Sequence, residues 1–170
     1  DQANVYEAAE RTPLEKQENL SERFQNNILL KREDLQPVFS FKVRGAYNKM
    51  VNLSKEDLKR GVITCSAGNH AQGVALAAKK LGCRAVIVMP STTPLIKINA
   101  VQSRGAEVML HGASLYEAHE YAVEIQKIEN LIFIHPFDDP DIIAGQGTIA
   151  KEILEDYPED IYAIFCYEKS

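Results

Sequence analysis

Cysteine is scarce in this chain: only Cys65, Cys83 and Cys166. The number is odd, the spacing is wide, and no Cys-x-x-Cys pair occurs. That excludes a disulfide framework and leaves free thiols in a reducing compartment as the expectation. A basic face is missing too. Lys and Arg number 19 against 24 Asp and Glu, a net charge of −5, and the acidic residues are spread along the chain. Electrostatic binding of nucleic acid needs the opposite balance, so no nucleic-acid partner is expected. No apolar run approaches the roughly 18 residues of a membrane span. The first residues, with Asp1, Glu7 and Glu10, lack the basic and apolar regions of a signal peptide. A cytoplasmic location is expected, or a plastid one if a transit peptide has been removed. What is present is an ordinary soluble balance over 170 residues, 45% hydrophobic and 25% charged, enough for one domain or two small lobes.

The middle of the chain alternates two kinds of segment. Short apolar, β-branched runs at Gly61–Cys65, Ala85–Met89, Ala106–Leu110 and Leu131–Ile134 are too short for helices and read as buried strands. Between them lie segments of helical spacing. Asn69–Leu81 is rich in Ala and ends at Gly82, a natural left-handed C-terminal residue. Thr93-Pro94 reads as N-cap and first helical position of a helix closed by Gly105. Ser114 and Glu117 form a capping box opening a helix to about Ile128. Asp139-Pro140 opens another, to about Asp156. Repeated strand–helix–strand order implies a parallel sheet with crossover helices, whose ligands bind at the carboxyl ends of strands. Before this region, helices are expected near Gln17–Phe24 and at Lys42–Leu53, a strand at Asn27–Lys31, and a short helix capped by Ser54 and ending at Gly61. After it, Ile161–Cys166 reads as one more strand.

Two constellations carry chemistry. In Ser40-Phe41-Lys42-Val43-Arg44-Gly45-Ala46 a lysine opens a helix directly after an aromatic. The helix dipole disfavours a cation there, and with partial burial favours the neutral amine, which attacks aldehydes. Phe41 is placed to pack on a flat ring. In Ser66-Ala67-Gly68-Asn69-His70 a strand ends and a helix begins. Small residues let backbone N–H groups approach a ligand, and the helix N-terminus suits a carboxylate or phosphate. Taken singly, each pattern is equally consistent with a plain surface lysine or an ordinary capped turn.

Taken together, the two runs resemble the fold-type-II enzymes that use pyridoxal 5′-phosphate (PLP), and most of all the threonine dehydratases. Lys31 to Pro37, Val88-Met89-Pro90 with Lys97, Gly105 to Val108, His111-Gly112-Ala113, Pro136 to Pro140 and Ile143 to Thr148 extend the resemblance over residues 3 to 157. It implies an α/β fold of the type-II kind, with residues 51–157 as a small lobe built on a four-stranded parallel sheet. Residues 1–50 and 158–170 would be parts of a large, incomplete lobe. It implies that Lys42 binds PLP covalently and later accepts the substrate α-proton. Phe41 would pack on the pyridine ring and Asn69 would bond its phenolic oxygen. Ser66, Ala67, Gly68, Asn69 and His70 would form the loop for the amino acid carboxylate. The implied reaction is deamination of L-threonine to 2-oxobutanoate and ammonia in isoleucine biosynthesis, by a homo-oligomer acting on a small-molecule amino acid. A serine dehydratase or serine racemase carries close variants of the same motifs. In the family a glycine-rich phosphate loop follows the last strand, where this chain reads Tyr167-Glu168-Lys169-Ser170. The chain is therefore expected to hold the lysine face of the site without the phosphate face, which leaves a catalytically silent truncated chain as a third reading.

His111, His119 and His135 lack the spacing of a zinc site, so no metal is expected. Asp138 and Asp139 read as helix caps, and Gly145 and Gly147 as close helix packing. His70 reads as a packing residue, and Arg44 as a surface or interface ion pair.

Overall fold

The computed structural model describes residues 3–166, so the tail Tyr167–Ser170, with its expected lack of a phosphate loop, lies outside the described residues. The elements run β1 (Leu14–Lys16), α1 (Glu18–Phe24), β2 (Leu29–Lys31), α2 (Lys42–Val51), α3 (Lys55–Arg60), β3 (Val62–Cys65), α4 (Asn69–Leu81), β4 (Ala85–Met89), α5 (Leu95–Gln102), β5 (Glu107–Leu110), α6 (Leu115–Glu129), β6 (Ile132–Phe133) and α7 (Pro140–Asp156). A 3-10 turn at Glu33–Leu35 joins β2 to the loop before α2.

The four strands expected in the middle of the chain pair in parallel in the order β5-β4-β3-β6. Every residue of β3 and β4 is buried, because helices cover both faces. Side chains alternate between two cores, as the period of two requires. Val62, Ala85, Ile87 and Met89 face the core shared with α2, α4 and α5. Ile63, Cys65, Val86 and Val88 face Ala118 and Ala122 of α6. The larger core also takes in Val5, Ala8 and Val38, so the N-terminal segment packs on the same apolar mass as the sheet.

Helix boundaries follow their caps. Ser114 accepts from the Glu117 N–H and Asp139 from the N–H groups of Asp141 and Ile142, while Gly82 closes α4 in the left-handed conformation. Two expectations need correction. Thr93 does not cap α5. Pro94, with extended ψ 140°, is the N-cap, and the Thr93 hydroxyl is buried without a partner among the described residues. The run Ile161–Cys166 forms no strand: among the described residues no strand lies alongside to complete its backbone hydrogen bonds, and the Phe165 side chain is 94% exposed. Unforeseen altogether is β1, which pairs antiparallel with β2, three residues from each.

Strand order positions the site. From β3 the chain steps outward through β4 to β5, then returns to add β6 on the other side of β3. The loops after β3 and β6 therefore diverge at the carboxyl edge of the sheet. In an open parallel sheet this switch point is where a ligand crevice forms.

Candidate active site

Both loops at the switch point carry the residues singled out in the sequence. After β3, the Ser66 N–H bonds the Val88 carbonyl at 3.1 Å and the Ser66 hydroxyl accepts from the Gly68 N–H at 3.2 Å. This turns the chain sharply into α4. No side chain caps the first turn of α4, whose N-cap is Gly68, and a Cβ added at Gly68 would meet nothing within 4 Å. Ser66, Ala67 and Gly68 are half-buried and Asn69 is exposed, so the loop presents free space and polar groups to solvent. After β6, the chain runs through Ile134, His135 and Pro136 to the start of α7.

Lys42 is the first residue of α2, with Phe41 at its N-cap. Its Nζ lies 5.2 Å from the Phe41 ring centroid and donates to the Pro136 carbonyl at 3.2 Å. Helix α4 reaches this point through Gly73. A Cβ there would come within 3.1 Å of the Lys42 carbonyl and the Val43 nitrogen, so the two backbones would have to part by a few tenths of an ångström. Asn69 stands one helical turn before Gly73, on the same face of α4. So α4, which carries Asn69 and the Ser66–Gly68 loop at its N-terminal end, packs against the start of α2, where Lys42 and Phe41 stand.

His70 does something other than line the loop. It is buried, and its Nε2 donates to the Ile134 carbonyl at 3.1 Å, the same oxygen that accepts from Thr64 Oγ1 at 2.8 Å. Burial pushes the imidazole pKa down to about 4, against the raising effect of the Ile134 carbonyl; the nearby charges of Lys42 and His135 push the same way as burial. The ring is thus neutral at physiological pH with its proton on Nε2, and the bare Nδ1 is buried without a partner. A neutral buried ring that ties α4 to β6 holds the two loops in register. This agrees with the packing role expected from the sequence.

Arg44, expected at the surface or an interface, is fully buried. It faces away from the loops toward α7 and the N-terminal segment. Its guanidinium grips two carboxylates at once: Glu152 at 2.6 and 3.0 Å, and Glu33 at 2.8 and 2.9 Å. Lys31 Nζ lies 2.8 Å from Glu152, and the Tyr6 hydroxyl donates to Glu152 at 2.8 Å. Burial pushes the Glu152 carboxyl up, but hydrogen bonds from Arg44, Lys31 and Tyr6 outweigh it and hold the group down at about 2. Beside this network α2 and α7 cross at Gly45 and Gly145, where the Gly145 position lies too close to the Gly45 backbone for any side chain. Glu152 went unnoticed in the sequence, although Ile142, Gly145, Thr148 and Glu152 recur at helical spacing on the buried face of α7.

The arrangement suits a particular kind of group. A primary amine stands beside an aromatic ring, and the loop after β3 leaves open space at its glycine. The Ser40 hydroxyl, two residues before Lys42, is buried with no partner among the described residues. An aromatic aldehyde bearing polar substituents fits this set: the amine can bond the aldehyde carbon, and the ring and loop can flank it.

Comparison with known proteins bears on this fit. The family described as "Pyridoxal-phosphate dependent enzyme" matches residues 5–167. The chain is similar to a biosynthetic L-threonine dehydratase of Burkholderia multivorans, 55% identical over 96% of this chain and 33% of that one. It is 58% identical to the chloroplastic threonine dehydratase 1 of Solanum lycopersicum, over 96% of this chain and 27% of that one. Among solved structures, the processed form of threonine deaminase isoform 2 from Solanum lycopersicum superposes with a TM-score of 0.89 at 55% identity, covering 91% of this chain and 45% of that one. Maize serine racemase superposes with a TM-score of 0.89 at 35% identity, covering 93% and 48%. The chain thus spans about a third or less of the length of these curated relatives.

Proposed function

The chain belongs to the pyridoxal-phosphate dependent enzyme family, and on that premise we propose that it forms the lysine-bearing part of an L-threonine dehydratase. The observation that carries the reading is the position of Lys42. It opens α2 beside Phe41, bonded to the Pro136 carbonyl in the loop after β6, with α4 abutting its backbone at Gly73. Lys42 would hold PLP through Nζ, Phe41 would lie against the ring, and Asn69 would bond the phenolic oxygen. The backbone N–H groups of the Ser66, Ala67, Gly68, Asn69 and His70 loop would bind and orient the substrate carboxylate, the His70 side chain being turned inward to the Ile134 carbonyl. When bound, PLP supplies an electron sink that acidifies the α-carbon of an amino acid. Lys42 would take that α-proton, and loss of the β-hydroxyl as water, followed by hydrolysis, would give 2-oxobutanoate and ammonia.

A serine-directed reading is favoured by one observation, the equally close superposition of maize serine racemase. No helix among the described residues is long and apolar enough to cross a membrane. We place the whole protein in the cytoplasm, or in a plastid where a transit peptide is removed. The division into lobes at residues 1–50, 51–157 and 158–170, and homo-oligomeric assembly, belong to the same proposal.

The experiment is the visible absorption spectrum with added PLP, for the wild-type protein and Lys42→Ala, followed by 2-oxo acid release from threonine and from serine. A band that needs Lys42, with faster threonine turnover, supports the reading. Preference for serine, or D-serine formation, moves the substrate to the alternative. A spectrum indifferent to Lys42 removes the cofactor assignment.

A further inference from the structure

The segment from Ile134 to Asp138 is pinned at nearly every residue. The Ile134 N–H bonds the Ile63 carbonyl at 2.8 Å, and the Ile134 carbonyl takes Thr64 and His70. Pro136 has no N–H, and its ring fixes φ. What remains free is the plane of the Pro136–Phe137 peptide, and His135 sets it. The His135 Nδ1 accepts from the Phe137 N–H at 3.2 Å and from the Asp138 N–H at 2.7 Å, and its ring packs edge-on against Phe137 with centroids 4.7 Å apart. In a trans peptide the N–H and the preceding C=O point in opposite directions. Holding the Phe137 N–H toward the His135 ring therefore turns the Pro136 carbonyl the other way, toward Lys42 Nζ, 3.2 Å from it.

We propose that His135 is a positioning residue that orients the Pro136 carbonyl as the resting acceptor for the Lys42 amine. The importance given to Lys42 rests on the function proposed above; the geometry of the grip does not. In the resting site the carbonyl tethers the Lys42 amine at the mouth of the loop after β6. Without the ring the peptide plane is free to turn, the amine loses this acceptor, and it is presented to a reagent more often. A protein hydrogen bond of ordinary net strength is enough to change the tethered fraction by about three- to tenfold.

The test measures Lys42 acylation by trace acetic anhydride in the full-length cofactor-free protein. Peptide mass spectrometry reads Lys42 against the exposed Lys55 as internal standard, for wild type, His135→Leu and His135→Asn. Leucine removes the acceptor, whereas asparagine restores one that can take the N–H two residues on. Lys42 labelling is expected to rise about three- to tenfold in His135→Leu and to stay near wild type in His135→Asn, with Lys55 unchanged in both. Equal labelling of all three proteins, or an equal rise in both variants, overturns the proposal. Hydrogen exchange in the wild type covers the case in which His135→Leu does not fold: the Phe137 amide must be protected, and free exchange there overturns the proposal alone. A His135-dependent rise alongside a PLP spectrum indifferent to Lys42 would uphold the positioning role while the cofactor assignment fell.

Discussion

Replacing Arg44 by methionine tests how the lysine helix is held. Arg44 makes six hydrogen bonds from a fully buried position: four to the Glu33 and Glu152 carboxylates, one to Thr148 Oγ1 at 3.0 Å and one to the Glu10 carbonyl at 3.1 Å. Methionine fills the stem but leaves Glu152 buried with only Lys31 and Tyr6. Removing one partner of a buried ion pair costs about 3–5 kcal/mol. The Glu152 carboxyl, held at about 2 against an ordinary 4.5 by Arg44, Lys31 and Tyr6 together, loses its bidentate partner. Urea unfolding followed by circular dichroism should therefore show a loss of about 3–5 kcal/mol. Arg44→Lys should recover less than half, because an ammonium cannot grip two carboxylates with a planar fork. The sign with pH is also fixed. Glu152 has a lowered folded pKa, so its contribution is complete above about 4.5 and disappears as pH falls toward 2. The wild-type advantage over Arg44→Met should therefore shrink across that window. A loss below about 1 kcal/mol at neutral pH, or a difference unchanged between pH 5 and 3, would refute the reasoning.

Other perturbations have definite outcomes. Gly145→Ala drives a Cβ to 2.6 Å from the Arg44 carbonyl and should cost about 1–3 kcal/mol, whereas Gly147→Ala has open space and should gain about 0.5–1 kcal/mol of helix propensity; thermal melts of the two should move in opposite directions. His70, lowered from 6.5 to about 4, binds its proton more readily unfolded, so stability should decline as pH falls from 6.5 toward 4, and its ring proton NMR signal should titrate near 4. Asp139→Ala removes the acceptor for the Asp141 and Ile142 N–H groups and the Lys49 ion pair at 3.0 Å; a denaturation curve should register a loss of about 1–2 kcal/mol.

Which parts were legible in the sequence follows from the range of the forces involved. The four parallel strands and their helices were readable because each is specified locally, by a short apolar run or by a cap such as Ser114, Asp139 or Gly82, although β5 and β6, expected as buried strands, are only partly covered. The same local reading failed at Ile161–Cys166, where strand propensity has no neighbour among the described residues to satisfy it. It missed β1, three residues that pair, among the described residues, with the matching stretch of β2. The motif residues were found as two runs, but nothing local says that Gly73 abuts Lys42. Arg44 was misplaced for the same reason: its partners Glu33 and Glu152 lie 11 and 108 residues away in sequence. One nonlocal feature did leave a readable trace, since a glutamate in phase with Ile142, Gly145 and Thr148 must be buried and must have a cation.

These features divide the work at α2 between its two ends. Toward α7 and the N-terminal segment, side-chain-free contact at Gly45 and Gly145, with the Arg44 network beside it, fixes the helix axis. Toward the sheet, Gly73 lets α4 approach the Lys42 backbone, and the His70, Thr64 and Ile134 contacts bind α4 to β3 and β6. The backbone of Lys42 is thereby clamped between two rigid contacts. Its side chain is restrained at its tip by a carbonyl hydrogen bond, which a covalent partner can displace at a cost of about 0.5–1.5 kcal/mol. A lysine that must hold a cofactor and then release it to move a proton needs that combination: a stem that does not shift and a head that can. Substitutions at Gly73 or Arg44 should therefore impair cofactor capture and proton transfer together, while substitution at His135 should alter the readiness of the amine and leave the helix in place. Parallel measurement of PLP affinity and Lys42 acylation across the three positions would separate the two classes, and a Gly73→Ala protein with unaltered PLP affinity would break the link between the clamp and the site.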